Sequence, residues 1–237
     1  MTDAYIITIK NHKASEKTSK ICIDAWEKYS NIPIHIFDAI TPVTVNDAYQ
    51  EMNLTWNPVG HPSVDLPKNA LKSAQSCSQT KSKSACAISH IKLWEMTSKS
   101  SSSQIILEHD GLLTRPLSES AIEMFEASPY GIISLNGPMP PHRKKYFFNP
   151  DKSDLNFPEL LNTITLSGAG QGYYIKPWAA TRVLEKLYEI GYMPCMNDTF
   201  LSNWWGFDFL ASPKYQGWVD RSTVTLHTSG DWKKGML

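Results

Sequence analysis

What this chain lacks narrows its reading first. It has no surplus of charge: 23 Lys and Arg balance 23 Asp and Glu, so the formal net charge is zero. That excludes the general nucleic-acid affinity of a strongly basic chain, while leaving room for local basic patches. No apolar run approaches the roughly 18 residues that a membrane helix needs. Met1 to Asp3 lead straight into "AYIITIK", which is short, closes on a lysine and reads as a first strand, not as a signal peptide. Cysteine is scarce and scattered. Cys22, Cys77, Cys86 and Cys195 form no CxxC pair, and they read as reduced thiols of a cytoplasmic protein instead of a zinc cluster. Internal repeats and clean linkers are also absent, so residues 1–237 are expected to form one domain.

What is present is an apolar fraction of 41% over 237 residues, enough for one core of moderate size. Eight tryptophans are many for this length; they suit a core, or platforms on which sugars stack. Ala4 to Ile9 reads as a strand, Ala14 to Tyr29 as an amphipathic helix, and Pro33 to Phe37 as a second strand. This β-α-β opening favours a parallel sheet with a right-handed crossover. Residues 39–83 read as a long loop, and loops of that length in compact domains are functional or mobile. Further elements are a helix from Ala85 to Met96, a strand from Gln104 to Leu107, a helix from Leu117 to Ala127 and a strand from Gly131 to Leu135. A loop from Asn136 to Asn162 precedes a strand from Gly172 to Lys176. Pro177 suits the first position of a helix that runs to Ile190, and Gly191 suits its stop. Asn197 or Asp198 is placed to cap a short helix through Trp204.

The segment "IILEHD" carries the chemistry. A buried strand runs into Glu108, His109 and Asp110. Ligands of α/β sheets bind outside the carboxyl ends of the strands. On an extended chain, residues i and i+2 point the same way, so Glu108 and Asp110 would share one place. Two such acids repel unless a cation lies between them. A divalent ion with oxygen ligands answers that need and would in turn hold a diphosphate. Strand ends also carry acids as caps or as solvated turn residues.

The surrounding segments resemble glycosyltransferase family 25, which includes lipooligosaccharide glycosyltransferases and collagen galactosyltransferases. "ACAISHIKLW" matches at Cys86, Ser89, His90 and Trp94, and the strand-end acids follow at Glu108 and Asp110 with His109 in place of a central acid. "AYIITIK", "GAGQGYYIKPWAATRVLEKL", "MPCMNDTFL" and "LHTSGDW" follow the family's order across most of the chain. The resemblance implies an α/β, GT-A-like nucleotide-sugar-binding fold with a central, mostly parallel sheet flanked by helices. It implies an inverting transfer of a sugar, with a UDP-sugar as the expected donor and Mn²⁺ or Mg²⁺ as cofactor.

By resemblance, Asp110, Glu108 and His227 would hold the metal. Ile7, Lys10, Ser89, His90, Glu108, His109, Gly170 and Asn197 would bind the donor. Asp198 would be the general base, since inversion needs a carboxylate that takes the acceptor hydroxyl proton. The chain departs from the family in two places. Lysines, not arginines, follow the first strand in "KNHKASEK", and a lysine meets phosphate without a bidentate fork. His109 either weakens the metal site or adds a softer ligand.

Several residues keep two readings. Asp198 suits a helix N-cap as well as a base. Ser89 and His90 suit a structural hydrogen bond as well as a donor contact. Trp204 and Trp205 suit core packing or an acceptor platform, and "GAGQG" suits a plain turn or close backbone approach to a ligand. "HRKKYFF", His142 to Phe148, mixes cations with aromatics and suits a solvated loop, a lid over a sugar acceptor or a contact to DNA. The acceptor is thus a glycan, a protein or a hydroxylated DNA base. A catalytically inactive nucleotide-sugar binder is the remaining class.

Overall fold

The computed structural model describes residues 2–57, 80–136, 159–166, 171–214 and 217–221. Strand β1 is Asp3–Thr8, followed by helix α1 at Lys13–Tyr29 and strand β2 at Ile34–Asp38. Helix α2 (Val45–Glu51) and strand β3 (Thr55–Trp56) come next, then helix α3 (Lys81–Ser98) and strands β4 (Gln104–Glu108) and β5 (Gly111–Leu113). Helix α4 (Glu119–Ala127), β6 (Ile132–Ser134), β7 (Leu160–Asn162) and β8 (Gly172–Ile175) follow. The chain continues with helix α5 (Pro177–Ile190), β9 (Tyr192–Met193), helix α6 (Asn197–Phe200), a 3-10 turn at Asn203–Trp205, β10 (Leu210–Pro213) and β11 (Val219–Arg221).

Seven strands form one sheet in the order β2-β1-β4-β8-β6-β10-β7. β1 pairs in parallel with both β2 and β4. β8 is antiparallel to β4 and to β6 on its two sides, so β4 and β6 run the same way. β10 is parallel to β6, and β7 is antiparallel to β10. Five strands therefore share one direction and two oppose it. This is the mostly parallel α/β sheet flanked by helices that the sequence led us to expect.

Both faces of the sheet are covered, which is why β4 reads as an unbroken apolar run and not an alternating one. Ile105 and Leu107 join Ala4 and Ile6 of β1 with Cys22 and Trp26 of α1 and Phe125 of α4 on one face. Ile106 points to the other face, with Ile7, Tyr173 and Ile175 and with α2, α3 and α5. The alternation of the pleat puts neighbouring residues of one strand into different cores. Helix α3 is buried on nearly every side, because it packs between the sheet and its helical neighbours.

The ends of the helices follow local chemistry. His12 caps α1, its Nδ1 accepting from Ser15 N at 3.2 Å. Thr80 caps α3 through its hydroxyl. α5 begins on Pro177 and ends on Gly191 at φ 79°, as the sequence suggested. The last carbonyls of α4 receive an unusual donor, the buried Lys176: its Nζ donates to Glu126 O at 2.9 Å and to Ser128 O at 2.7 Å.

Three local expectations need correction. Residues 39–83 are not all loop, since α2 and β3 lie within them. The buried face of α2 is only Val45, Ala48 and Tyr49, too short an apolar pattern to stand out in a polar sequence. The expected loop from Asn136 to Asn162 ends in β7, an edge strand formed by its pairing with β10 rather than by a pattern of its own. The short helix near 197 is capped by neither Asn197 nor Asp198. Its N-cap is Met196, without a side-chain cap bond, and it ends at Phe200.

Candidate active site

The parallel arrangement brings the carboxyl ends of β1, β2, β4 and β6 to one edge of the sheet. The start of β8 lies at the same edge, because it is antiparallel, with Gly172 opposite Leu107 and Tyr173 opposite Ser134. Thr8 faces Asp38 across β1 and β2, and just beyond them Lys10 Nζ lies 3.5 Å from a carboxylate oxygen of Asp38. Both of those side chains are exposed, so the pair holds Lys10 only weakly and leaves it available to an anion. Ile7 is buried in the core beneath this edge.

Hydrogen bonds fasten the end of β4 to the start of β8. Glu108 N donates to Gln171 O at 3.0 Å. Asn136, buried after β6, donates through Nδ2 to Gln171 Oε1 at 3.0 Å and accepts from Gly172 N at 3.2 Å. Strand geometry stops at Glu108; His109 and Asp110 form a turn into β5. The period-two rule therefore cannot be carried through to Asp110, which is buried at 2% exposure, whereas the Glu108 side chain is 27% exposed. Glu108 shares the pleat direction of Ile106 and so lies on the α3 face.

On that face Glu108 lies beside Cys86 of α3. Burial pushes the Cys86 thiol well above its ordinary range, and the charges of Glu108, Asp198 and Asp110 push it further in that order. Of these carboxylates, Glu108 lies closest by geometry, since its oxygen, the Cys86 sulfur and a His90 ring nitrogen fall within 4.8 Å of one another; Asp110 and Asp198 are near enough for their charges to act on the same thiol. Asp110 also acts on Cys22, whose thiol is pushed up to about 12 chiefly by burial. Cys86 itself is a half-buried thiol whose Sγ donates to Asn197 Oδ1 at 3.9 Å.

α6 is held in place by aromatic packing. Phe200 stacks on Trp94 of α3 at 6.3 Å between centroids, and Trp205 packs on Phe200 at 5.3 Å. This decides for core packing at Trp205, which is buried; Trp204 packs partly buried against the same core. Thr165 Oγ1 donates to Asp198 O at 3.4 Å, and Thr199 Oγ1 lies 3.4 Å from Asp198 Oδ1. With Met196 in the cap position, the capping explanation for Asp198 falls away.

Ser89 and His90 sit one layer behind this surface, both fully buried. Ser89 Oγ donates to Ala85 O at 2.8 Å and accepts from Ile40 N at 2.9 Å, so it pins the segment after β2 onto α3. Trp94 Nε1 donates to Tyr173 Oη at 2.7 Å, and that same oxygen lies 2.9 Å from His90 Nδ1. His90 Nε2 faces Glu108 Oε1 at 3.7 Å. Gly170, His227 and the segment His142–Phe148 lie outside the described residues. The DNA-contact reading drew on that segment and gains no support from the fold.

The donor set suits a divalent ion. Glu108 and Asp110 stand at the carboxyl edge of the sheet, and carboxylate oxygens are the ligands Mg²⁺ and Mn²⁺ prefer. Among the described residues, one group of different character also has ligand spacing: Cys86, His90 and Glu108 offer atoms within 4.8 Å of one another. Sequence reasoning missed three participants. Tyr173 carried only the signal of lying in the matched "GQGYYI", and Asn136 and Gln171 carried none, because their roles arise from strand pairing.

An α/β sheet with acids gathered at its carboxyl edge defines a ligand-binding enzyme scaffold. The family model described as glycosyltransferase family 25 (LPS biosynthesis protein) matches residues 1–201. The chain belongs to that family and is a glycosyltransferase. No curated protein matches it by sequence. Among solved structures it is similar to mouse xyloside xylosyltransferase 1 in its apo form, with a TM-score of 0.45 and 9% identity over 89% of this chain and 84% of that one. Among the described residues no helix is long and apolar enough to cross a membrane.

Proposed function

We propose that the protein transfers a sugar from a nucleoside-diphosphate sugar, with UDP as the expected carrier, to a hydroxyl of a saccharide acceptor, in a metal-dependent and inverting reaction. One observation carries the reading: Glu108 closes β4 at the carboxyl edge of the sheet beside Cys86, and α6, which carries Asp198, meets the same Cys86 through Asn197. The "LPS biosynthesis" description of the matched family supports a saccharide acceptor.

Glu108 and Asp110 would hold Mn²⁺ or Mg²⁺, with His227 as a further ligand. A bound divalent ion offsets the charge that builds on the departing diphosphate. Lys10, beyond β1, would meet the diphosphate as a point charge. Asp198 would take the proton of the acceptor hydroxyl while its oxygen bonds to the anomeric carbon. The bond from that carbon to the diphosphate oxygen breaks on the opposite side. Asn197, whose Oδ1 is engaged by Cys86, would support this face of the site. His109, half-buried in the turn, would contact the donor.

The test is a panel of nucleotide sugars, with and without Mn²⁺, read first by melting temperature, because a ligand that binds only the folded state raises it. Release of nucleoside diphosphate is read next. Asp198→Asn should keep the melting shift and lose transfer. Retained turnover in that variant would remove Asp198 from the role of base, and binding without any turnover in the parent protein would make it an inactive binder.

A further inference from the structure

The cluster Cys86, His90 and Glu108 has the residue types of a soft-metal site, yet a proton count along the hydrogen bonds assigns it another role. Trp94, Tyr173 and His90 are all at or below 1% exposure, so the indole and phenol hydrogens are expected to find partners within the protein. An indole N–H only donates, so Tyr173 Oη accepts from Trp94 Nε1. Burial keeps the phenol protonated, and its single proton needs an acceptor. His90 Nδ1, at 2.9 Å, is in reach. An Nδ1 that accepts leaves the ring proton on Nε2, which makes no hydrogen bond and faces the Glu108 carboxylate across 3.7 Å, an electrostatic contact. A ring protonated at Nδ1, with or without a second proton, would bring two donors to one phenol oxygen and strand the phenol's own hydrogen.

We infer that Trp94, Tyr173 and His90 form a proton-ordered chain that makes His90 a positioning residue, presenting an Nε2–H to Glu108 and steering its carboxylate. The chain closes His90 to metal, because the lone pair a metal would need lies on the nitrogen already bonded to Tyr173. Glu108 is thereby kept for a cation bound through carboxylate oxygens. Its consequence for catalysis rests on the glycosyl-transfer reading above. The tautomer and the metal selectivity do not.

Two measurements are independent of any activity. Long-range ¹H–¹⁵N correlation spectra of the ¹⁵N-histidine-labelled full chain, with His90 assigned by its loss in His90→Gln, should show a neutral ring protonated at Nε2. Tyr173→Phe, which removes the phenol proton, should erase that preference. An Nδ1–H or doubly protonated pattern in the parent protein overturns the inference. Titration with Co²⁺ should give no thiolate charge-transfer absorption; a band that vanishes in Cys86→Ser overturns it as well.

The kinetic arm uses donor turnover. His90→Met should lower kcat/KM by roughly 10–100-fold, the range for groups that orient a metal ligand, and His90→Gln, which can present an amide N–H to Glu108, should recover most of that loss. Equal activity in His90→Met and the parent protein would overturn the positioning role. Correct spectra in a protein that never turns over any nucleotide sugar would instead sink the proposed function and leave the hydrogen-bonded chain standing.

Discussion

Gly111 is the most exacting point at which to test how the acids are held. It opens β5 directly after the turn that carries His109 and Asp110, and it is buried. A Cβ added there would fall inside contact distance of the Gln171 carbonyl oxygen, and would lie 3.2 Å from the Glu108 carbonyl oxygen and 3.3 Å from the Gln171 carbonyl carbon. These are backbone atoms, so no flexible side chain can swing aside. Gly111→Ala must therefore separate the end of β4 from the start of β8, at the bond from Glu108 N to Gln171 O. Overpacking of a well-filled site costs about 1–3 kcal/mol, and a buried hydrogen bond left unmade costs about as much again. The sum is roughly 2–6 kcal/mol. At about 2–4 °C per kcal/mol for a chain of this size, that lowers the melting temperature by about 4–24 °C. Thermal and urea unfolding measure it directly, and donor-dependent turnover should fall further than stability does, because Glu108 moves with its backbone. A variant that melts within about 1 °C of the parent would refute the close approach on which the geometry of the site depends.

Other outcomes are expected from the same structure. Glu108→Gln should abolish the Mn²⁺-dependent part of donor binding while the fold persists, checked by melting temperature with and without metal. Ser89→Ala leaves Ile40 N without its acceptor and should cost about 1–3 kcal/mol in urea unfolding. Lys176→Met removes two charge-assisted bonds to the end of α4 and, after relief of the burial that lowers the lysine's proton affinity, should cost about 2 kcal/mol. Cys22 ionises more readily unfolded than folded, since its folded value is raised to about 12, so its contribution is fully present below pH 9 and is lost as pH rises from there towards 12. Stability should therefore fall by up to about 1.4 kcal/mol per pH unit through this one group, and Cys22→Ala should flatten that slope.

The elements with strong local signals were legible before any coordinates. β1, α1 and β2 were read from apolar patterning, and in α5 Pro177 and Gly191 add a start and a stop that mark it to the residue. The acid pair stood out because charged residues rarely close a strand buried on both faces. α2, β7 and the true cap of α6 were not legible. Each takes its form from a neighbour: α2 from the core it covers, β7 from the strand it pairs with, and α6 from Phe200 wedged against Trp94 and Trp205.

The sequence by itself determined the class of the protein. Its ordered segments, from "AYIITIK" to "MPCMNDTFL", specify strands and helices by local propensity and place acids at a strand end, and those are properties of neighbours along the chain. Only the tertiary structure decided which acids act on a common neighbour. Asp198 lies 88 positions after Asp110 in the numbering, and nothing in the spacing relates them; α6, anchored on α3, meets Cys86 through Asn197 and so brings Asp198 near enough for its charge, like those of Glu108 and Asp110, to act on that thiol. It likewise decided the duty of His90, because a tautomer depends on where a phenol 83 positions away directs its single proton. Hydrogen bonds and charges act through space, and the packing of the helices against the sheet sets those distances.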